Sequence, residues 1–520
     1  MTSLIKNELF KIFHKKFIYI LAILSLGLSI FVGFVSSKDF TFDALFLYED
    51  SVNRLENDNL KDYSQEELEY LVADKNNYDS LKLIKEKKYK SFSWQASYIE
   101  GGIVFENISC MNRSKYITKN SEEYETCKRE YEDNLKYLEN NDWKHFVSER
   151  LDSNKAKLEE LTELQKSLNN GTVVPSSESL ENVEGEESTL VEQNPYEEYM
   201  SEQGQKALTD EINNLNYFIE VDEYRLKYEI EDGYSSNSMT LNQYAVIASE
   251  WDLTDKNEKN YKTAEALAEK RMKEKQYYET KYTIENGIFS HRTEGYENSL
   301  TVFTSTFSST IFYLIILAIV LGATMVTEEF SKGTIKQMLL KPFTRSKLLV
   351  GKIIAASIVF LLFSLFYMVA TYVVYGAFFG FADLQLPVVV YNFHLHKVVE
   401  YNAIIYALIN YISILPVYII LFTLAFMVGN LFENTVLAII VPMILYMFGD
   451  VVNIMIPKSL AKLRALLPTN CWNLNQFLFG GISSYEYETF TKSLCVDVVI
   501  TIAFVIIAFV VFKKKDIKNQ

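Results

Sequence analysis

Cysteine, proline and basic charge are all scarce in this 520-residue chain, which has four Cys, eight Pro and a formal net charge of −16. Four thiols cannot staple a chain of this length, and their spacings match no zinc-ligand or dithiol redox pattern. Cys110 and Cys127 share one acidic stretch and either pair or stay free, while Cys471 and Cys495 lie near apolar runs. No phosphate-binding loop of the form G-x-x-x-x-G-K-[ST] is present: Gly351-Lys352 is followed by Ile353, and Ser346 stands where the first glycine belongs. ATP binding by that route is excluded. No Ser/His/Asp arrangement stands out. His394 and His396 would share one face of a strand, but two histidines without a third ligand assign no metal site.

The shortage of basic residues is local. Residues 36–298 hold 32 Lys plus Arg against 56 Asp plus Glu, whereas the remainder holds 19 against 11. Nucleic acid is therefore not an expected partner, since phosphate binding needs a basic footprint and the only basic surplus flanks apolar runs. The first such run, 17–35, has 19 uncharged residues, near the ~20 needed to cross a bilayer core. It is too long for a signal-peptide core and reads as a retained first transmembrane helix. Five more spans are predicted at about Val302–Val326, Leu349–Phe379, Ala403–Val428, Thr435–Ile456 and Leu494–Phe512. Ahead of the first, Ile5, Leu9, Ile12 and Phe13 recur at helical spacing among Lys6, Lys11, Lys15 and Lys16. That pattern predicts a basic amphipathic helix over residues 1–16 on the inner leaflet. Lysines and arginines also crowd the segments 327–348 and 513–520, so the positive-inside rule places both termini in the cytoplasm. Lys458, Lys462 and Arg464 in an outer loop depart from it.

The chain is thus expected to be an all-α membrane protein with six transmembrane helices and a large, mainly helical extracellular domain, 36–298, between the first two. Val147, Leu151, Leu158, Leu161 and Leu168 follow helical spacing, and Leu208, Ile212, Leu215, Ile219 and Leu226 repeat it. Two antiparallel helices are predicted, joined by a disordered acidic tip at 169–195 that lacks aromatic residues. A small sheet is expected around Ser91–Phe105. Asp450 and Asp497 fall towards the outer halves of their spans, where a carboxylate reaches water at lower cost. The spans carry no paired acid, nucleophile or metal cluster that would make the chain an intramembrane enzyme.

The most informative segment is EEFSKGTIKQMLLKPFTRSKLLVGK, residues 328–352. Gly333 supplies a turn, Ser331 or Thr334 a cap, and Pro342 a stop, which predicts a two-turn helix over Thr334–Lys341 with Ile335, Met338 and Leu339 on one face. A helix of that kind rests on lipid or docks in a partner's groove. Thr304, Ser305, Ser308 and Ser309 belong to a hydroxyl-rich stretch that lines a polar path between subunits, bonds its own helix carbonyls or holds neighbouring helices together.

Segment 328–352 closely resembles the loop after the second span in ABC-2 type permeases, where an acidic pair, S-x-G-T, an apolar helix, Pro and S/T-R precede the third span. The likeness extends more weakly to the basic N-terminus and the six-span layout. It implies a cytoplasmic coupling helix at 327–347, with Glu328, Glu329, Gly333, Thr334, Lys336, Met338, Leu339, Pro342 and Arg345 meeting a separate ATPase subunit. It also implies a five-helix transmembrane domain over 299–520 with a re-entrant outer region at 457–490. The expected partners are cytoplasmic ABC ATPase subunits, a second permease copy or paralogue, and membrane lipid. ATP and Mg would sit on the ATPase, with no cofactor in this chain and no enzymatic activity of its own. The expected role is export of an amphipathic, peptide or lipid-like substrate at a bacterial cell membrane, with antimicrobial peptide export or resistance in view. The alternative is a membrane-anchored adhesion or sensing protein that works through its outer domain.

Overall fold

The computed structural model describes residues 1–37, 44–91, 93–169, 201–292, 295, 297–308, 312–331 and 344–514. Two helices open the chain, α1 (Thr2–Phe13) and α2 (Lys16–Ser37). A polar helical domain follows: α3 (Glu49–Asn57), α4 (Gln65–Lys87), α5 (Trp94–Glu100), α6 (Ile103–Tyr116), α7 (Ser121–Glu139), α8 (Trp143–Asn169), α9 (Glu202–Tyr228), α10 (Ser236–Leu253) and α11 (Ala264–Glu285). The apolar part comprises α12 (Ser299–Ser308), α13 (Phe312–Ser331), α14 (Arg345–Phe379), α15 (Ala403–Phe432), α16 (Thr435–Met455), the short α17 (Ala461–Arg464) and α18 (Pro468–Cys471), and α19 (Phe490–Lys514). Among the described residues six helices, α2, α13, α14, α15, α16 and α19, are long and apolar enough to cross a membrane. The chain is therefore an all-α protein with the build of a six-span membrane protein.

Local sequence explains the boundaries. Asn402 caps α15 by accepting from the Ile404 amide, and Asn434 caps α16 by accepting from those of Val436 and Leu437. Between α15 and α16 only Glu433 and Asn434 remain, and Glu433 adopts φ 53°, so the two helices turn back on each other. In the bundle α13 and α15 are central, with 72% and 67% of their most apolar stretches buried, against 17% and 11% for α16 and α19. Gly322 makes that centre possible: a Cβ there would meet the Phe422 carbonyl oxygen at 2.3 Å, so only glycine lets α13 and α15 approach this closely.

The two predicted long helices of the polar domain are α8 and α9. They run antiparallel, with Leu158, Leu161, Leu164 and Leu168 packed on Leu208, Ile212 and Leu215. The acidic tip predicted between them, 169–195, lies outside the described residues except for Asn169, the last residue of α8. Across the base of this pair Arg150 meets Asp222 and Asp232 at 2.5 and 2.7 Å, and the fully buried Arg225 completes the cluster. A disulfide joins Cys110 of α6 to Cys127 of α7. The sheet expected at Ser91–Phe105 is a correction. Ser93 accepts from the Ala96 amide and starts α5, and Trp94, Ile99, Val104 and Ile108 enter one core from α5 and α6.

One hairpin is present among the described residues: β1 (Pro387–Asn392) pairs antiparallel with β2 (Lys397–Asn402), from Pro387 opposite Asn402 to Asn392 opposite Lys397. His394 and His396, expected on a strand, occupy its turn. The hairpin joins the polar domain to the bundle. The Tyr391 amide donates to Glu279 of α11 at 2.8 Å, the Tyr282 hydroxyl to Glu400 at 3.0 Å, and Arg271 to the Gly480 carbonyl at 3.0 Å. On the bundle side, Asp383 accepts from the His291 amide and the Ser290 hydroxyl at 2.6 and 2.7 Å.

This joint should respond to pH. Burial, partly offset by Lys275 and the Tyr391 amide, pushes the Glu279 carboxyl up to about 7 from its ordinary 4.5. A raised carboxyl contributes stability that is fully present below the unfolded value of 4.5 and lost as pH rises through about 7. The melting temperature of the purified chain should fall between pH 5.5 and 8.5, and Glu279→Gln should remove most of that fall. Equal falls in the two proteins would contradict the assignment.

Candidate functional site

The site lies at the end of the bundle opposite the polar domain, where α1, α13 and α14 converge. On α1, Leu4, Glu8 and Ile12 recur every fourth residue and form its buried face. Leu4 settles on Gly351 of α14, where a Cβ would lie 2.7 Å from the Leu4 Cδ2. That contact sets the helix down with Glu8 over the next residue, Lys352.

Lys352 Nζ donates to Glu8 Oε2 at 2.8 Å and to Glu329 Oε1 at 2.7 Å, with only 4% of its side chain exposed. Lys11 donates to Glu8 Oε1 at 2.9 Å and to Glu329 Oε1 at 3.0 Å. Two carboxylates and two ammonium groups thus form a neutral quartet joining three helices. Beside it Lys15 pairs with Glu328 at 2.8 Å and donates to the Thr324 hydroxyl at 3.0 Å. Burial drives the Glu8 carboxyl upward, but Lys352 and Lys11 outweigh it and hold the group below its ordinary range. Lys11 is raised in turn, because Glu8 and Glu329 overcome the effect of its burial.

Two further contacts frame the same end. Arg345 donates to the Phe512 and Lys513 carbonyls at 3.4 and 3.1 Å, so the start of α14 caps the end of α19 with a cation. The Thr435 hydroxyl donates to that of Thr327 at 2.8 Å, tying the start of α16 to α13. Of the predicted coupling residues, Glu328 and Glu329 gather with the lysines of this cluster, while Arg345 binds the end of α19. Gly333, Thr334, Lys336, Met338, Leu339 and Pro342, and with them the predicted helix, lie outside the described residues.

Two hydroxyls of the hydroxyl-rich stretch bond to carbonyls of their own helix. Thr304 donates to the Leu300 carbonyl at 2.8 Å and Ser305 to that of Val302 at 3.0 Å. Ser309 and the side chain of Ser308 lie outside the described residues. The region 457–490 folds as short helical pieces, α17, α18 and 3-10 turns, against α15, α16 and α19. In α19 the expectation for Asp497 is overturned: its side chain is buried at 3% exposure, and neither carboxylate oxygen has a hydrogen-bond partner among the described residues. Asp450, by contrast, is exposed.

Glu8, Lys11, Lys15 and Lys352 escaped sequence reading. The usable signals were an acid set between Leu4 and Ile12 at four-residue spacing in a basic segment, and a lysine next to glycine just inside an apolar run.

Residues 268–518 match a family described as "Protein of unknown function (DUF2705)". That stretch begins inside α11 and takes in the hairpin and all of the bundle after the polar domain. Over 244 residues the chain is 27% identical to the Bacillus subtilis (strain 168) "Uncharacterized protein YhcI", an alignment covering 46% of this chain and 74% of that relative. No solved structure matches.

Breaking a buried ion pair by removing one partner costs about 3–5 kcal/mol. Lys352→Met leaves Glu8 and Glu329 facing a single lysine, so α1 should detach. A cysteine substituted at Leu4 should then react with a thiol reagent about tenfold faster or more than in the parent protein, and adding Glu329→Gln should slow it again by restoring neutrality. Unchanged reactivity in Lys352→Met would show that the quartet does not hold α1.

Proposed function

We propose that the chain is the membrane-spanning subunit of an ABC-2 type exporter, which transmits ATP hydrolysis by a separate ATPase subunit to movement of an amphipathic, peptide or lipid-like substrate. In this reading both termini and residues 327–347 are cytoplasmic, and the polar domain stands outside a bacterial cell. ATP and Mg belong to the partner. A second copy or a paralogue of the chain completes the pathway, and substrates of the antimicrobial-peptide kind suit the exporter. The chain performs no covalent chemistry of its own.

One observation carries this reading: the permease-like segment 328–352 begins and ends in the buried quartet. Glu329 stands at its first turn and Lys352 at its last residue; the two pair directly at 2.7 Å, and Lys352 and Lys11 each bridge Glu329 to Glu8 of α1. A push on a segment anchored in this way reaches α1, α13 and α14 together. That is what coupling requires, provided the ATPase binds two arrangements of the bundle with different affinity. The excess of lysine and arginine at this end supports its cytoplasmic placement.

Changing Met338 and Leu339 together to Asp tests the proposal. Two charges on an apolar docking face cost several kcal/mol, enough to abolish a modest interface. The variant should reach the membrane in normal amount and lose both its co-purifying ATPase and its export activity. A variant that keeps both would favour an adhesion or sensing protein working through its outer domain.

A further inference from the structure

At the other end of the bundle a cavity of about 360 Å³ opens between α15, α16 and the segment that follows α18. Its volume lies in the range of small-molecule sites. Tight packing builds it: a Cβ on Gly449 would come within 2.5 Å of Thr469, so α18 sits directly against α16, and the Thr469 hydroxyl donates to Asn453 at 2.9 Å. The next residue on each element, Asp450 and Asn470, faces the cavity.

The lining offers acceptors and ring faces. Asp450 is its one charged residue. Asn470 is 5% exposed, and its Oδ1 accepts no hydrogen bond among the described residues. Three aromatic rings, Tyr446, Trp472 and Tyr485, complete the wall, with Tyr446 and Trp472 centred 6.5 Å apart. Arg464 already lies over the Tyr485 ring, 4.4 Å from its centre, which shows that this ring takes a cation. Beyond the mouth, α16 presents uncovered apolar side chains, including Ile444, Met447, Phe448 and Val451, each at least half exposed.

We propose that this cavity binds the cationic head of an amphiphile, an ammonium or guanidinium group carried on an apolar body that lies along α16. Asp450 supplies the counter-charge and the rings supply cation-π contacts. An anionic head would meet Asp450 at once, and among the described residues no Lys or Arg lines the cavity, Arg464 standing behind the Tyr485 ring. The inference concerns binding and does not rest on the transport reading.

The test uses the full chain in lipid nanodiscs, titrated with decyltrimethylammonium and, separately, with decyl sulfate. Trp472 is the only tryptophan of the bundle, since Trp94, Trp143 and Trp251 lie in the polar domain, so its fluorescence reports the cavity. The cationic probe should change that fluorescence saturably, and Trp472→Phe should abolish the change. Asp450→Asn should weaken binding about tenfold or more while leaving the melting temperature unaltered, because Asp450 is exposed. The Met338→Asp, Leu339→Asp variant should bind the probe as the parent does, which separates this site from the coupling proposal. Equal affinity for the two probes, or unchanged affinity in Asp450→Asn, would overturn the assignment.

Discussion

A lysine buried to 4% exposure at the end of the bundle is the constraint on which the arrangement of α1, α13 and α14 depends. An unpaired ammonium group in that position would cost far more than any packing contact returns, so the chain has to bring carboxylates to it. Glu329 arrives from α13, the adjacent span, but Glu8 arrives from a helix that begins at the second residue. With both in place the net charge of the quartet is zero, and the helices that supply it are fixed relative to one another. A surface ion pair would not impose this, since it is screened and worth about 0–1 kcal/mol.

The rest of the bundle extends the same rigidity upward. From Glu328 and Glu329, α13 runs back through the centre of the bundle, held against α15 where Gly322 admits the Phe422 carbonyl. At its far end the chain meets the polar domain, which the hairpin and α11 hold through Glu279, Glu400 and Arg271. Between the buried quartet and this joint the packing is continuous. The apolar faces of α16 and α19, left largely uncovered, are those that lipid or a second copy would cover in the proposed assembly.

Much of this was legible in the sequence because it depends on short-range pattern. Six apolar runs became six helices, and the leucines after Val147 and Leu208 became the α8–α9 pair, because length and periodicity are properties of neighbouring residues. What failed depends on distant partners. Glu8 resembles a solvated acid among lysines until Lys352, 344 positions away, is placed over it. The stretch at Ser91–Phe105 reads as a strand, yet Ser93 caps a helix there and the core it enters is built from four other helices. The hairpin at Pro387–Asn402 escaped notice because its strands are short and lie between two spans, and pairing with α11 is invisible in one dimension. The likeness of 328–352 to a permease loop was readable, but the charges that anchor it were not.

If the quartet fixes α1 to the ends of the proposed coupling segment, the distance between them is set by the fold. Spin labels at Lys6, on the exposed side of α1, and Lys347, at the exposed start of α14, report that distance by pulsed electron resonance. A single narrow distribution in lipid, unchanged when the proposed ATPase and nucleotide are added, is the result expected of one rigid unit. A broad distribution, or one that shifts with nucleotide, would show that α1 moves independently and would contradict the account.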